Sequence, residues 1–115
     1  MNPADTTAVL DRSQLRNITM DDEDLMREIV AQLVDDAARQ IQALVEAVKV
    51  GKADECRRLA HSATGACGNV GAVSLAALFS AIERKAISGD LSGCNGTIQT
   101  LAFELDKLRQ EAAAI

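Results

Sequence analysis

The sequence predicts an all-α protein, an antiparallel up-down-up-down four-helix bundle with a short extra N-terminal helix. Three observations predict it. Apolar residues recur at steps of three and four through four long stretches, the period of a helix with one buried stripe. The 115 residues include one proline and two aromatics, Phe79 and Phe103, and Ala, Leu, Val and Ile carry the apolar content. That composition favours helix. The connections between the stretches are very short, and helices joined that way are antiparallel neighbours.

Each element follows in order. Residues 1–10 are expected to form a flexible tail, and residues 11–115 a single helical domain. Asp11 to Ile18 predicts a short helix, with Leu15 and Ile18 closing one end of the core. Thr19 or Asp21 is the expected cap of the next helix, and the run Asp21, Asp22, Glu23, Asp24 places negative charge where the helix dipole favours it. That helix keeps its period through Leu25, Met26, Ile29, Val30, Leu33, Val34, Ala37, Ile41, Leu44, Val45 and Val48, until Gly51 stops it. The third helix is expected from Ala53 to Cys67, with Gly68 and Asn69 forming a tight connection and Gly71 letting the chain re-enter closely packed. Val73 to Ser88 follows, with Leu75, Leu78, Phe79, Ile82 and Ala86 inward. Gly89 ends it and Asp90 caps the last helix, whose stripe is Leu91, Cys94, Ile98, Leu101, Leu105 and Leu108. Gly93 and Gly96 are expected to delay its start, and the Ala-rich end to fray.

Charge and composition exclude several functions. A net charge of −5 opposes a nucleic-acid partner, because phosphate binding needs a basic face. No apolar run is long enough to cross a bilayer, and no hydrophobic signal segment opens the chain. A cytoplasmic protein is expected. Three cysteines without close-paired spacing fit reduced thiols.

One stretch, Arg57 to Ala72, holds the single histidine, His61. Its apolar residues, Cys56, Leu59, Ala60, Ala63, Ala66, Cys67 and Val70, centre near Ala63, and His61 falls roughly 160° away around the helix. The imidazole is therefore expected to point to solvent. Gly65 lies one turn further on the same face. A mid-helix Gly costs about 1 kcal/mol relative to Ala. Helical side chains lean toward the N-terminus, so a residue at i+4 partly covers the one at i. With Gly at 65, nothing covers His61 from that side.

These residues resemble a family. The pattern A-H-x-x-x-G-x-x-x-x-x-G-A, here Ala60, His61, Gly65, Gly71 and Ala72, is similar to that of the histidine-containing phosphotransfer (HPt) domain of two-component phosphorelays. The likeness extends over nearly the whole chain. It implies that His61 accepts and donates a phosphoryl group through Nε2, in a His-Asp relay with response-regulator receiver domains or a hybrid sensor histidine kinase. It implies a phosphocarrier with no kinase activity of its own, since no phosphate-cradling loop or nucleotide site is present. No cofactor is expected on this chain; Mg²⁺ is expected on the receiver. The family usually has Lys or Arg three residues after the histidine, where this chain has Thr64.

Supporting roles follow from position. Arg57 and Arg58 flank His61 on the N-terminal side; they either neutralise the phosphoryl group or belong to a solvated face that pairs with Glu55. Thr64 either donates to a phosphoryl oxygen or is idle. By the resemblance, Glu83 stands where a Gln or Glu often orients the ring through Nδ1; the alternative is a plain exposed acid. Ala60, Thr64, Gly65 and Gly68 are expected to permit close approach of a partner, with Arg57, Arg58 and Lys85 on its rim. A metal site is not expected. Cys56, His61 and Cys67 sit on different helix faces, and Cys94 lies far along the chain. The chief alternative is a helical docking module that binds a receiver or partner helix without carrying phosphate. A small metal or redox protein is the third. A monomer or weak dimer is expected.

Overall fold

The computed structural model describes residues 8–115, which form five helices and, among the described residues, no strand: α1 (Arg12–Thr19), α2 (Glu23–Lys49), α3 (Ala53–Val70), α4 (Val73–Ile87) and α5 (Leu91–Ala113). Their contacts close a ring, with α2 packed on α3 and α5, and α4 packed on the same two. The 43 Å long axis matches α2, whose 27 residues rise about 1.5 Å each. No helix among the described residues is long and apolar enough to cross a membrane.

The expected tail over 1–10 falls partly outside the described residues, but its last three are held. Leu10 is buried, Val9 packs on the core, and the Ala8 carbonyl accepts from Ser74 N at 3.1 Å. α1 begins one residue later than expected because Asp11 is its cap, accepting from Gln14 N at 3.1 Å. Leu15 is buried but Ile18 is exposed. Thr19 takes the inner place, its hydroxyl satisfied by the Leu15 carbonyl at 2.7 Å. Neither Thr19 nor Asp21 caps α2. Met20 and Asp21 both adopt positive φ (54° and 64°), which hands the cap to Asp22 and its bond from Leu25 N. On α2, Val30 and Leu44 are fully buried, and trimming Leu44 to Ala costs on the order of 2–5 kcal/mol. Leu25 and Val45, expected inward, lie on the exposed side.

α3 is longer than expected. Gly68 and Asn69 remain helical, and the turn comes at Gly71, in the left-handed region at φ 94°. Its N–H and that of Ala72 both return to the Cys67 carbonyl, at 3.1 and 2.9 Å, satisfying the helix end. The corner is clasped by the segment before α2. Asp11 N donates to Gly71 O at 2.7 Å, and Gln14 Nε2 donates to Gly68 O and Asn69 O at 2.6 and 3.2 Å. A Cβ on Gly71 would come within 2.9 Å of the Asp11 carbonyl oxygen. Glycine is needed there both for its φ and for this approach.

α5 starts at Leu91 without the delay its glycines suggested. Asp90 folds back to accept from Gly93 N at 2.9 Å, and a side chain at 93 would collide with that carboxylate. Its end does not fray before Ala113. Arg12 pairs with Glu111 at 3.1 Å, and Arg27 Nε reaches the Ile115 carbonyl at 3.2 Å. The two aromatics divide sharply: Phe79 is fully buried at the centre, while Phe103 is 74% exposed on the outer side of α5.

Candidate functional site

The site is built on the outward face of α3. Cys56, Ala60, Ala63 and Cys67 form its buried stripe, so His61, nearly opposite, is pushed out. The His61 side chain is 73% exposed. A Cβ added at Gly65 or at Gly68 would meet nothing within 4 Å. The surface C-terminal to the ring is therefore a bare backbone ledge.

The ring is aimed from the next helix. Nδ1 of His61 lies 2.9 Å from Oε2 of Glu83 on α4, whose side chain is only 22% exposed. A carboxylate accepts and does not donate, so Nδ1 carries a proton, and in the neutral ring Nε2 keeps the lone pair. Such a ring is a nucleophile with one defined attacking atom.

The other predicted residues divide. Arg57 and Arg58 lie on the exposed side of α3, Arg57 with its Nε 3.6 Å from Asp54 and Arg58 paired with Glu55. Thr64 is half-buried, and its hydroxyl donates back to the Ala60 carbonyl at 2.8 Å, so its proton is not offered outward. Two expectations are corrected. Ala60 is fully buried, because it sits on the core stripe one step from the ring, and it offers no surface to a partner. Lys85 turns away from His61 toward α5, donating to Thr97 Oγ1 at 2.6 Å and to the Gly93 carbonyl at 3.4 Å. It stands two residues past Glu83, about 200° around α4, so the two side chains diverge.

The three thiols are buried and free. Burial pushes the Cys67 thiol up to about 12. Cys56 is raised by burial and then by Cys94; Cys94 is raised by burial and Asp90, against a lowering from Lys85. Thiols so protonated are poor nucleophiles. Among the described residues no three His, Cys, Asp or Glu side chains gather as a metal site.

Sequence reasoning missed a groove beside the ledge. It runs between α2 and α3, about 210 Å³, with Leu33, Ala37 and Ala63 in its floor and Asp36, Gln40 and Ser62 along its sides. It continues past Ala66 toward Ile29 and Val70. Gln40 Oε1 is buried there and, among the described residues, has no hydrogen-bond partner. The available signal was the run of small residues at 62, 63 and 66 opposite Ala37. Around α3, Gly65 lies between His61 and this groove.

The Hpt domain family model matches residues 28–111 of this chain. A similar solved structure is that of histidine-containing phosphotransfer protein B (HptB) from Pseudomonas aeruginosa PAO1. The two share 27% identity with a TM-score of 0.82, over 93% of this chain and 96% of that one. Comparison with curated proteins yields no significant match.

Proposed function

The chain belongs to the Hpt domain family, and on that premise we propose that it relays phosphoryl groups on His61 between response-regulator receiver domains, or from a hybrid sensor histidine kinase to a receiver. The observation that carries this reading is the exposed imidazole, tied at Nδ1 to Glu83 and open at Nε2 above a glycine ledge. In the proposed step, Nε2 attacks the phosphorus of an aspartyl phosphate in line. The N–P bond forms as the P–O bond to the aspartate breaks, and the aspartate leaves as a carboxylate. Glu83 holds the Nδ1 proton as positive charge develops on the ring. The reverse sequence unloads the group onto a second aspartate.

The chain acts as a carrier, without kinase activity of its own and with no cofactor assigned to it. Mg²⁺ belongs to the receiver. We read the four long helices as an up-down-up-down bundle, a cytoplasmic monomer or weak dimer. The receiver seats along the α2–α3 groove and over Gly65 and Gly68. A second reading, a docking module that carries no phosphate, is favoured by one observation: Thr64 stands one turn past the ring and spends its hydroxyl on Ala60.

Incubation with a phosphorylated receiver decides between them. The expected result is acid-labile, base-stable label on the wild-type chain and none on His61→Gln, with unchanged far-UV circular dichroism. Label on His61→Gln at the wild-type level refutes the relay; receiver binding without label supports the docking module.

A further inference from the structure

We infer that, among the described residues, no fixed cation stands over the phosphohistidine formed at position 61, so that the partner supplies the neutralising charge across the interface and the loaded protein is a ready donor rather than a store. The inference rests on the relay reading and concerns what surrounds the loaded ring.

A phosphoryl group brings between one and two negative charges. On Nε2 it would stand on the exposed face of α3, on a chain that already carries a net −5. Cations lie close in sequence, but each is drawn elsewhere. Arg57 lies 3.6 Å from Asp54, and Arg58 pairs with Glu55. Both acids lie three residues earlier, so both guanidinium groups are pulled back toward the start of α3, while His61 lies ahead of them. On α4, Arg84 donates to Ser80 Oγ at 2.9 Å. Lys85 is turned to Thr97 and Gly93 on α5, and Arg39 on α2, which lines the groove beside Ser62, is paired with Asp36. Thr64 is placed one turn past the ring, where a side chain faces it, yet it is uncharged and bonded to its own helix. The charged group paired with the ring is itself an acid, Glu83. The loaded assembly therefore keeps its negative charge until a partner docks. Like charges raise the free energy of the undocked loaded state, and a cationic partner surface both draws it in and neutralises the phosphoryl oxygens during transfer.

The test needs no partner. Phosphoramidate loads the histidine: the Nε2 lone pair attacks phosphorus, the N–P bond forms, the P–N bond to the leaving group breaks and ammonia departs. The Nδ1 proton stays on the ring, shared with Glu83. Phosphorus NMR against pH then reads how tightly the phosphoryl oxygens hold their proton. In the wild type the proton affinity should be no lower than that of free phosphohistidine, and Arg57→Ala should not change it. Thr64→Lys, which adds an ammonium one turn away, should lower it about threefold to tenfold. A wild-type value more than threefold below free phosphohistidine, restored by Arg57→Ala, overturns the inference and leaves the relay intact. So does a Thr64→Lys value equal to the wild type. Failure of His61 to load at all overturns both readings.

Discussion

Replacing Gly65 with leucine should make this protein more stable and less active at once. A Cβ added at Gly65 meets nothing within 4 Å beyond its own helix backbone and chain neighbours, so a side chain can leave the helix there without a clash at its first carbon. Moving from Gly to Leu inside a helix gains about 0.8 kcal/mol. Unfolding entropy of about 2.1 cal/mol/K per residue gives roughly 0.24 kcal/mol/K over 115 residues, so the gain corresponds to a Tm rise of about 3 °C. The same side chain leans back over the preceding turn, where the ring of His61 stands. In-line attack needs the reacting atoms about 3–3.5 Å apart, and a misplacement of about 1 Å costs on the order of a hundredfold. Uptake from a phosphorylated receiver should fall at least tenfold. Thermal unfolding by circular dichroism reads the first effect and label transfer the second. Gly65→Ala should share the gain in stability with a smaller loss of transfer. A leucine variant that transfers at the wild-type rate, or melts below the wild type, refutes the account of why glycine is there.

Three further outcomes follow from the geometry. Gly71→Ala, the same exchange ten residues from His61, should have the opposite sign: positive φ and the Asp11 carbonyl at 2.9 Å together cost about 2–4 kcal/mol, read as a lower urea midpoint. Glu83→Ala should slow receiver-dependent transfer about tenfold, while Glu83→Gln, which still accepts from Nδ1, should recover much of the loss with helicity unchanged. Cys67 keeps its proton to about 12 when folded against 9.0 unfolded. The unfolded chain therefore gives up this proton first, and stability falls as pH rises from about 9 toward about 12. The contribution of this one thiol approaches 1.4 kcal/mol per pH unit and should be lost in Cys67→Ala, leaving the smaller slope due to Cys56 and Cys94, whose thiols burial also raises.

The long helices and the outward histidine were legible because both rest on local periodicity. α2 declares itself over seven turns, and the stripe from Cys56 to Cys67 leaves only one side for His61. What sequence did not reveal depends on contacts between distant residues. Gly68 and Asn69 read as a connection because glycine usually breaks a helix, but Gln14, 54 and 55 residues earlier, bonds their carbonyls. Met20 gives no warning of a left-handed turn, so the cap moved from Thr19 or Asp21 to Asp22. Leu25 and Val45 fit the apolar period but face outward, because the ring of helices covers only part of α2. Lys85 was placed near the ring by its closeness to Glu83 in sequence; rotation around α4 sends it to Thr97 instead.

The imidazole is steered by a carboxylate on another helix, 22 residues away. Its ring resonances thus become a gauge of how α3 and α4 sit against each other. A substitution at the Gly71 corner that slides one helix along its neighbour would stretch the Nδ1 contact and register in those signals, even where overall helicity is untouched. Damage remote from the nucleophile becomes visible at the nucleophile, and a spectroscopist can separate a misaligned ring from a missing one.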